Sequence, residues 1–170
     1  MLKIEGLFKR FGKKEVLKGL ELHVPEHSIF GFIGKNGSGK TTTMKTILGL
    51  LKPDAGQIYV AGEKVVFGQT ASNRHIGYLP DVPEFYPFMT AREYLKFCGE
   101  ISGMDKSDVE KRCDELLVLT GLDNEKGLIK GFSRGMKQRL GIAQAIMEDP
   151  SVLILDEPFN GLDKEGQNDI

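Results

Sequence analysis

Eight consecutive residues, Gly34-Lys35-Asn36-Gly37-Ser38-Gly39-Lys40-Thr41, bring glycines, lysines and hydroxyls together in the spacing G-x-x-x-x-G-K-[ST]. That spacing suits a loop wrapped around a polyphosphate. Glycine lets the backbone curl so that successive N–H groups point inward at phosphate oxygens. A helix starting at the end of the loop adds a partial positive charge, Lys40 adds a full one, and the Thr41 hydroxyl can reach a Mg²⁺ ion. The bland alternative is an ordinary glycine-rich turn, but average residue frequencies put a chance match at about one in a hundred for a chain of this size. A second set follows later: the aliphatic run Val152-Leu153-Ile154-Leu155, then Asp156 and Glu157. An acid at the end of a buried parallel strand can reach a metal beside such a loop. A neighbouring carboxylate suits orienting an attacking water, because phosphoryl transfer depends mostly on positioning and charge stabilisation. Taken alone, a solvated strand end explains these two acids equally well. Beside Lys40 and Thr41 they predict a nucleoside triphosphate site.

Such a loop needs a strand before it and a helix after it. Ser28-Ile29-Phe30-Gly31-Phe32-Ile33 is short and apolar, which predicts a buried parallel strand. Thr41 to Leu48 contains neither glycine nor proline and predicts the helix. Leu2 to Leu7 and Leu20 to Val24 alternate as half-exposed strands do, with Pro25 closing the second. Pro53 to Gly56 reads as a turn before a strand over 57–62, and Arg74 to Leu79 as a strand stopped by Pro80. The pattern then changes. Thr90-Ala91-Arg92-Glu93 is a capping box opening a helix to about Ser102, with Tyr94, Leu95, Cys98 and Ile101 inward. Ser107 to Glu110 predicts a second box, and its helix stops near Gly121. Ser133 predicts the cap of a third helix from Arg134 to Met147, and Ser151 to Leu155 a buried strand. An α/β core therefore brackets an all-helical stretch from Glu84 to Glu148.

Composition narrows the class. The 170 residues suit one domain with an inserted lobe, and 28% charged with 40% apolar residues is ordinary for a globular protein. A net charge of −1, with no basic run interleaved with aromatics, gives no argument for a nucleic-acid partner. Cys98 and Cys113 read as buried apolar fillers, and the three histidines lie far from any cysteine pair, so no zinc pattern exists. No apolar run reaches membrane-spanning length and the first residues do not resemble a signal peptide. Work at a membrane would require another polypeptide to hold the chain there.

Phe132-Ser133-Arg134-Gly135-Met136-Lys137-Gln138-Arg139, placed shortly before Val152 to Glu157, resembles the signature motif of ABC-type ATPases, and Phe159 to Asp163 resembles their D-loop. The resemblance runs from Ile4 to Asp163. It implies an α/β fold: a P-loop NTPase core with an N-terminal antiparallel β subdomain and an inserted all-helical subdomain. The lobes expected are 1–83 for the core plus β subdomain, 84–148 for the helical subdomain and 149–170 for the return to the core. It implies the ATP-binding subunit of a bacterial ABC transporter, cytoplasmic and peripheral on the inner face of the membrane. ATP and Mg²⁺ would be its cofactors. A second ATP-binding subunit, head to tail, and an integral membrane permease would be its partners. Phe11 matches the residue that stacks on adenine and Val16 the apolar contact beside it; a core-facing phenylalanine near a Gly12 turn is the other reading of Phe11. Gly34, Lys35, Asn36, Gly37, Ser38, Gly39, Lys40, Thr41 and Thr42 would hold the phosphates. Thr41, Asp156 and Asp81 would serve the metal, and Lys40, Asp81 and Glu157 catalysis, with Glu157 as general base. Ser133 and Gly135 would reach a γ-phosphate held by the second subunit, although Ser133 reads equally as the cap of its own helix. Asp163 would bridge the subunits.

The chain departs from that family in three places. Asp81 stands where a glutamine usually follows Tyr78-Leu79-Pro80, and Arg134 and Met136 replace the usual glycine and glutamine of the signature. A cation at Arg134 favours nearby phosphate. The family also places a histidine at the end of a further core strand beyond the D-loop, whereas all three histidines here precede Asp156. The expectation is a portion of a longer domain that binds nucleotide and hydrolyses it poorly by itself. A soluble regulatory ATPase of the same superfamily, and a binding module without useful catalysis, are the competing readings.

Overall fold

A computed structural model describes residues 1–160. The described residues form two compact units, the first ending at Ile76 and the second beginning at Gly77.

The first unit is built on an antiparallel sheet of order β2-β1-β3-β4, from β1 (Leu2–Phe11), β2 (Lys14–Val24), β3 (Ala55–Val60) and β4 (Glu63–Lys64). Phe11 pairs with Lys14, so Gly12 and Lys13 make a two-residue hairpin turn, with Gly12 at φ 57°. Left-handed backbone is what such tight hairpins require, and glycine adopts it without penalty. Leu2 and Ile4, like Ile58 and Val60, are buried at period 2, while Leu7 reaches the same core through an irregularity between Ile4 and Leu7, and Leu17 is buried on β2. The strands read at 2–7 and 20–24 are present and longer than alternation alone suggested, and the strand read at 57–62 starts earlier, at Ala55, and ends at Val60. The helix after the phosphate loop is α1 (Lys40–Ile47).

One expected element is missing. Residues 28–33 form no strand, and Ile29, Phe30 and Ile33 are exposed. A strand with two apolar faces is stable only between ladder partners and covering layers, and no described strand pairs with this run. Its sequence carries strand character, but no ladder realises it.

The boundary between the units falls at the first residue of β5 (Ile76–Leu79), which pairs with β6 (Val152–Leu155) in a two-stranded sheet. The strand read from Arg74 is shorter by two residues, because Arg74 and His75 close a 3₁₀ turn instead. β6 is less buried than its four aliphatics suggested: Ile154 is covered, while Leu153 is exposed. Between the two strands lie α2 (Ala91–Ile101), α3 (Lys106–Leu119) and α4 (Arg134–Ala145). Their core gathers Tyr94, Leu95, Val109, Cys113, Leu116, Leu122, Leu140 and Met147. Burial raises the Cys113 thiol to about 11, which keeps it protonated and unreactive, as expected of a core filler.

The helix starts separate a true capping box from a false one. Thr90 Oγ1 accepts the Glu93 N–H, and the Glu93 carboxylate accepts the Thr90 N–H at 2.8 Å. At the second box the expectation fails. Asp105 is the N-cap and α3 already begins at Lys106, so Ser107 has helical backbone and cannot take the extended cap conformation. Ile101 is also corrected: it is the last residue of α2 and points to solvent. Thr90→Ala is expected to cost about 1 kcal/mol of stability by loss of the cap. Ser107→Ala should stay within about 0.5 kcal/mol of the parent in urea unfolding.

Candidate functional site

The phosphate-type loop lies wholly within the first unit, and its geometry follows from its glycines. Ser38 N–H donates to the Lys35 carbonyl at 3.0 Å, closing a turn. Gly37 (φ 80°) and Gly39 (φ 102°, ψ 5°) then take left-handed backbone. A Cβ on Gly39 would sit 2.8 Å from Leu17 Cδ2 and 3.2 Å from Val16 Cγ1, so the position excludes side chains by space as well as by φ. One on Gly34 would lie 2.5 Å from Ser38 Oγ. Gly39 is also the N-cap of α1, with no side chain bonded to the first-turn amides and no acidic residue in that turn. The partial positive charge of the helix end is therefore left available to an anion.

Lys40 Nζ reaches back over the loop to the Gly34 carbonyl at 2.7 Å. Thr43 and Thr46 return their hydroxyls to the carbonyls of Gly39 and Thr42, at 3.0 and 2.7 Å, and are buried. Thr41 and Thr42 instead line a cleft of ≈ 410 Å³ together with Lys14, Val16, Lys35, Asn36, Gly37, Gly39 and Lys40. Three of those nine residues are cationic and none is acidic, so the cleft favours an anion of high charge. Lys14 was missed in reading the sequence. The available signal was period 2: Lys14 and Val16 share one face of β2. Phe11 is not core-facing. It is half exposed near the hairpin tip, with Lys9 Nζ 5.4 Å from its ring centroid, and it is not among the residues lining the cleft.

The carboxylate pair lies in the second unit. Asp156 N–H donates to the Leu79 carbonyl at 2.8 Å, carrying the β5–β6 pairing one residue past the strand. The Tyr78 phenol is pushed above its usual range by burial and then by the Asp156 carboxylate. Glu157 is exposed and sits at φ 52°, a left-handed conformation uncommon for glutamate. Asp81 is exposed, and its Oδ1 accepts from Asn160 Nδ2 at 2.7 Å. Ser133 caps α4: its Oγ accepts the Met136 N–H at 3.2 Å. The capping reading of Ser133 therefore holds in this chain. Arg134 is exposed and Gly135 half-buried in the first turn, which contains no acid. Gln138, one turn further, was not recognised as a site residue. It is 2% exposed and donates to the backbone carbonyls of Glu157 and Pro158. A polar residue four and seven positions before Ile142 and Ala145, on a buried stripe, was the signal that could have found it. Asp163 lies outside the described residues. Among those residues, no group of three or more His, Cys, Asp or Glu is arranged to hold a metal, and no helix is long and apolar enough to cross a membrane.

A glycine loop that opens a helix, lined by lysines, defines the P-loop class of nucleotide-binding proteins. The chain belongs to the ABC transporter family, whose profile matches residues 17–160. It is 44% identical over 167 residues to the bacitracin transport ATP-binding protein BcrA of Bacillus licheniformis, covering 98% of this chain and 54% of that protein. The chain thus spans about half the length of the curated relatives it matches. Among solved structures, the ATP-binding subunit of an ABC transporter superposes with a TM-score of 0.90 at 31% identity, over 99% of this chain and 70% of that one. A dimeric ATP-binding cassette in a post-hydrolysis state with ADP and Pi superposes at 0.86 and 25% identity, over 100% of this chain and 79% of that one. The α/β fold class expected from the sequence is the one these relatives share.

Gly39→Ala should cost about 1–2 kcal/mol from the left-handed backbone alone, beyond the contacts with Leu17 and Val16. The expected readouts are a lower melting temperature and loss of tripolyphosphate binding in calorimetry.

Proposed function

We propose that this chain is the ATP-binding and ATP-hydrolysing part of an ABC transporter subunit, coupling nucleotide-driven dimerisation to movement of a solute by a membrane partner. The observation that carries this reading is the cleft at the start of α1, with three lysines, no acid and an uncapped helix N-terminus. A triphosphate fits that chemistry: the loop residues Asn36, Gly37 and Gly39 and the start of α1 would offer it backbone amides, Lys40 and Lys35 would balance its charge, and Val16 offers an apolar edge beside it. Phe11 would stack on the base. Lobes of 1–83, 84–148 and 149–170 are the division this reading implies.

The donors assigned to Mg²⁺ are all oxygens: the Thr41 hydroxyl and the carboxylates of Asp156 and Asp81. Hard oxygen donors, few in number and completed by phosphate and water, are what that ion takes. When bound, it would neutralise charge building up on the β- and γ-phosphates. Glu157 would accept a hydrogen bond from the attacking water and orient it, and Lys40 would hold the γ-phosphate in line. Ser133 and Gly135, at the amide-rich start of α4, would meet the γ-phosphate bound by the second subunit, with Arg134 adding charge. Asp163 would bridge the pair. Nucleotide then lies at the seam of a head-to-tail dimer, so binding closes it and hydrolysis opens it.

The similarity to a dimeric cassette bound to ADP and Pi, and to a bacitracin transport ATP-binding protein, supports this mechanism and a membrane permease partner. Placement against the inner face of the cell membrane follows from that partnership. The test uses the full-length protein. Glu157→Gln should lower turnover by about 10²–10⁴-fold while nucleotide-bound dimers accumulate on size-exclusion chromatography with ATP. Dimerisation indifferent to ATP, or turnover at the parent rate, would refute the reading.

A further inference from the structure

The segment after β6 makes a turn held at several points, all within the second unit. Glu157 adopts φ 52° although it carries a side chain, and Pro158 restricts the backbone ahead of it as well. A conformation this disfavoured persists only when its surroundings over-determine it. Here they do. Gln138 Nε2 donates to the Glu157 carbonyl at 3.4 Å and to the Pro158 carbonyl at 3.1 Å. The Asn160 N–H donates to the Glu157 carbonyl at 3.0 Å, and Asn160 Nδ2 ties the far side of the turn to Asp81 Oδ1 at 2.7 Å. Before the turn, Asp156 is fixed to Leu79 by its own N–H.

Gln138 is the buried member of this set. A primary amide at 2% exposure is costly unless its N–H groups find acceptors, and the acceptors it finds are two successive carbonyls of the turn. Those carbonyls flank Pro158, whose ring already fixes φ. One nitrogen bridging both therefore restrains the peptide planes around Glu157, and with them the direction in which its side chain leaves the backbone. Gln138 lies five residues after Ser133 on α4, so the cap and the turn are joined by little more than one rigid helical turn.

We propose that Gln138 is a positioning residue for Glu157: its buried carboxamide clamps the left-handed turn after β6 and so aims the carboxylate at water, linking that aim to the start of α4. This rests on the reading of Glu157 as the water-orienting base. Every residue of the clamp belongs to the second unit, whereas the phosphate loop belongs to the first, and its loss should damage the chemical step and spare nucleotide binding.

The test is Gln138→Met in the full-length protein, which keeps the volume and removes both N–H donors. The kcat for ATP should fall about 10- to 100-fold, as for a small misplacement of a reacting group. KM and ADP affinity should stay within about twofold, and in a Glu157→Gln background the same substitution should change residual turnover by less than about twofold, because both act through one group. Parent-like kcat, a parallel loss of ADP affinity, or a further additive loss in that background would each overturn the proposal. If Gln138→Met does not fold by far-UV circular dichroism, Gln138→Asn decides, since it keeps a primary amide but withdraws its nitrogen from the two carbonyls by one methylene. A fall in kcat that vanishes in the Glu157→Gln background supports the clamp, and parent-like kcat overturns it. Should Glu157→Gln alone hydrolyse ATP at the parent rate, the functional reading fails first, which separates the two failures.

Discussion

The backbone at Gly39 must turn left-handed while lying against Leu17 and Val16, and the rest of the phosphate cleft depends on that turn. With φ 102° the chain reverses within one residue, so α1 starts with its amide end open to the cleft. Lys40 begins the helix on the side from which its ammonium can cross to the Gly34 carbonyl. The next polar side chains then divide by face. Thr43 and Thr46 turn inward and satisfy themselves on the helix backbone, while Thr41 and Thr42 remain at the cleft. A residue with a Cβ at position 39 would meet both the backbone restriction and two β2 side chains at once. The conformation is thus enforced from the chain itself and from the sheet beneath it.

The second unit solves a similar problem by opposite means. Its left-handed Glu157 has a side chain that the proposed chemistry requires, so glycine is not an option there. Where Gly39 adopts its conformation for lack of a Cβ, Glu157 is held in it by hydrogen bonds to its carbonyl, one from Gln138 on α4 and one from Asn160 within the turn. Asp81, which stands at the position of the family's usual glutamine, takes part in the same turn. A carboxylate oxygen accepts the Asn160 amide, giving the outer edge of the turn a partner on the segment after β5.

What could be read in the sequence was whatever local chemistry fixes. The loop at 34–41, the Thr90–Glu93 box, the Ser133 cap and the alternating strands β1 and β2 each follow from hydrogen bonds or periods spanning a few residues, and each is present. The errors arose where a distant partner decides. Residues 28–33 have strand composition but no described neighbour to pair with, and Leu153 is aliphatic yet exposed. Ser107 matched the box pattern because Ser-x-x-Glu is only permissive; the helix had already begun at Lys106 from the Asp105 cap. Lys14 and Gln138 escaped notice for a related reason. A lysine on a hairpin and a glutamine within a helix look ordinary until the fold shows what each faces.

The lysines around the cleft arrive from three separate pieces of chain: Lys14 from β2, Lys35 from the loop and Lys40 from α1. With no acidic side chain among the lining residues, and a neutral carbonyl, that of Gly34, as the partner of Lys40, their mutual repulsion is left chiefly to solvent and counterions. Any compact multivalent oxyanion therefore relieves the same strain that a nucleotide does. Sulfate or inorganic phosphate in a buffer becomes a competitor at this cleft, weakening apparent nucleotide affinity while raising the melting temperature of the ligand-free protein.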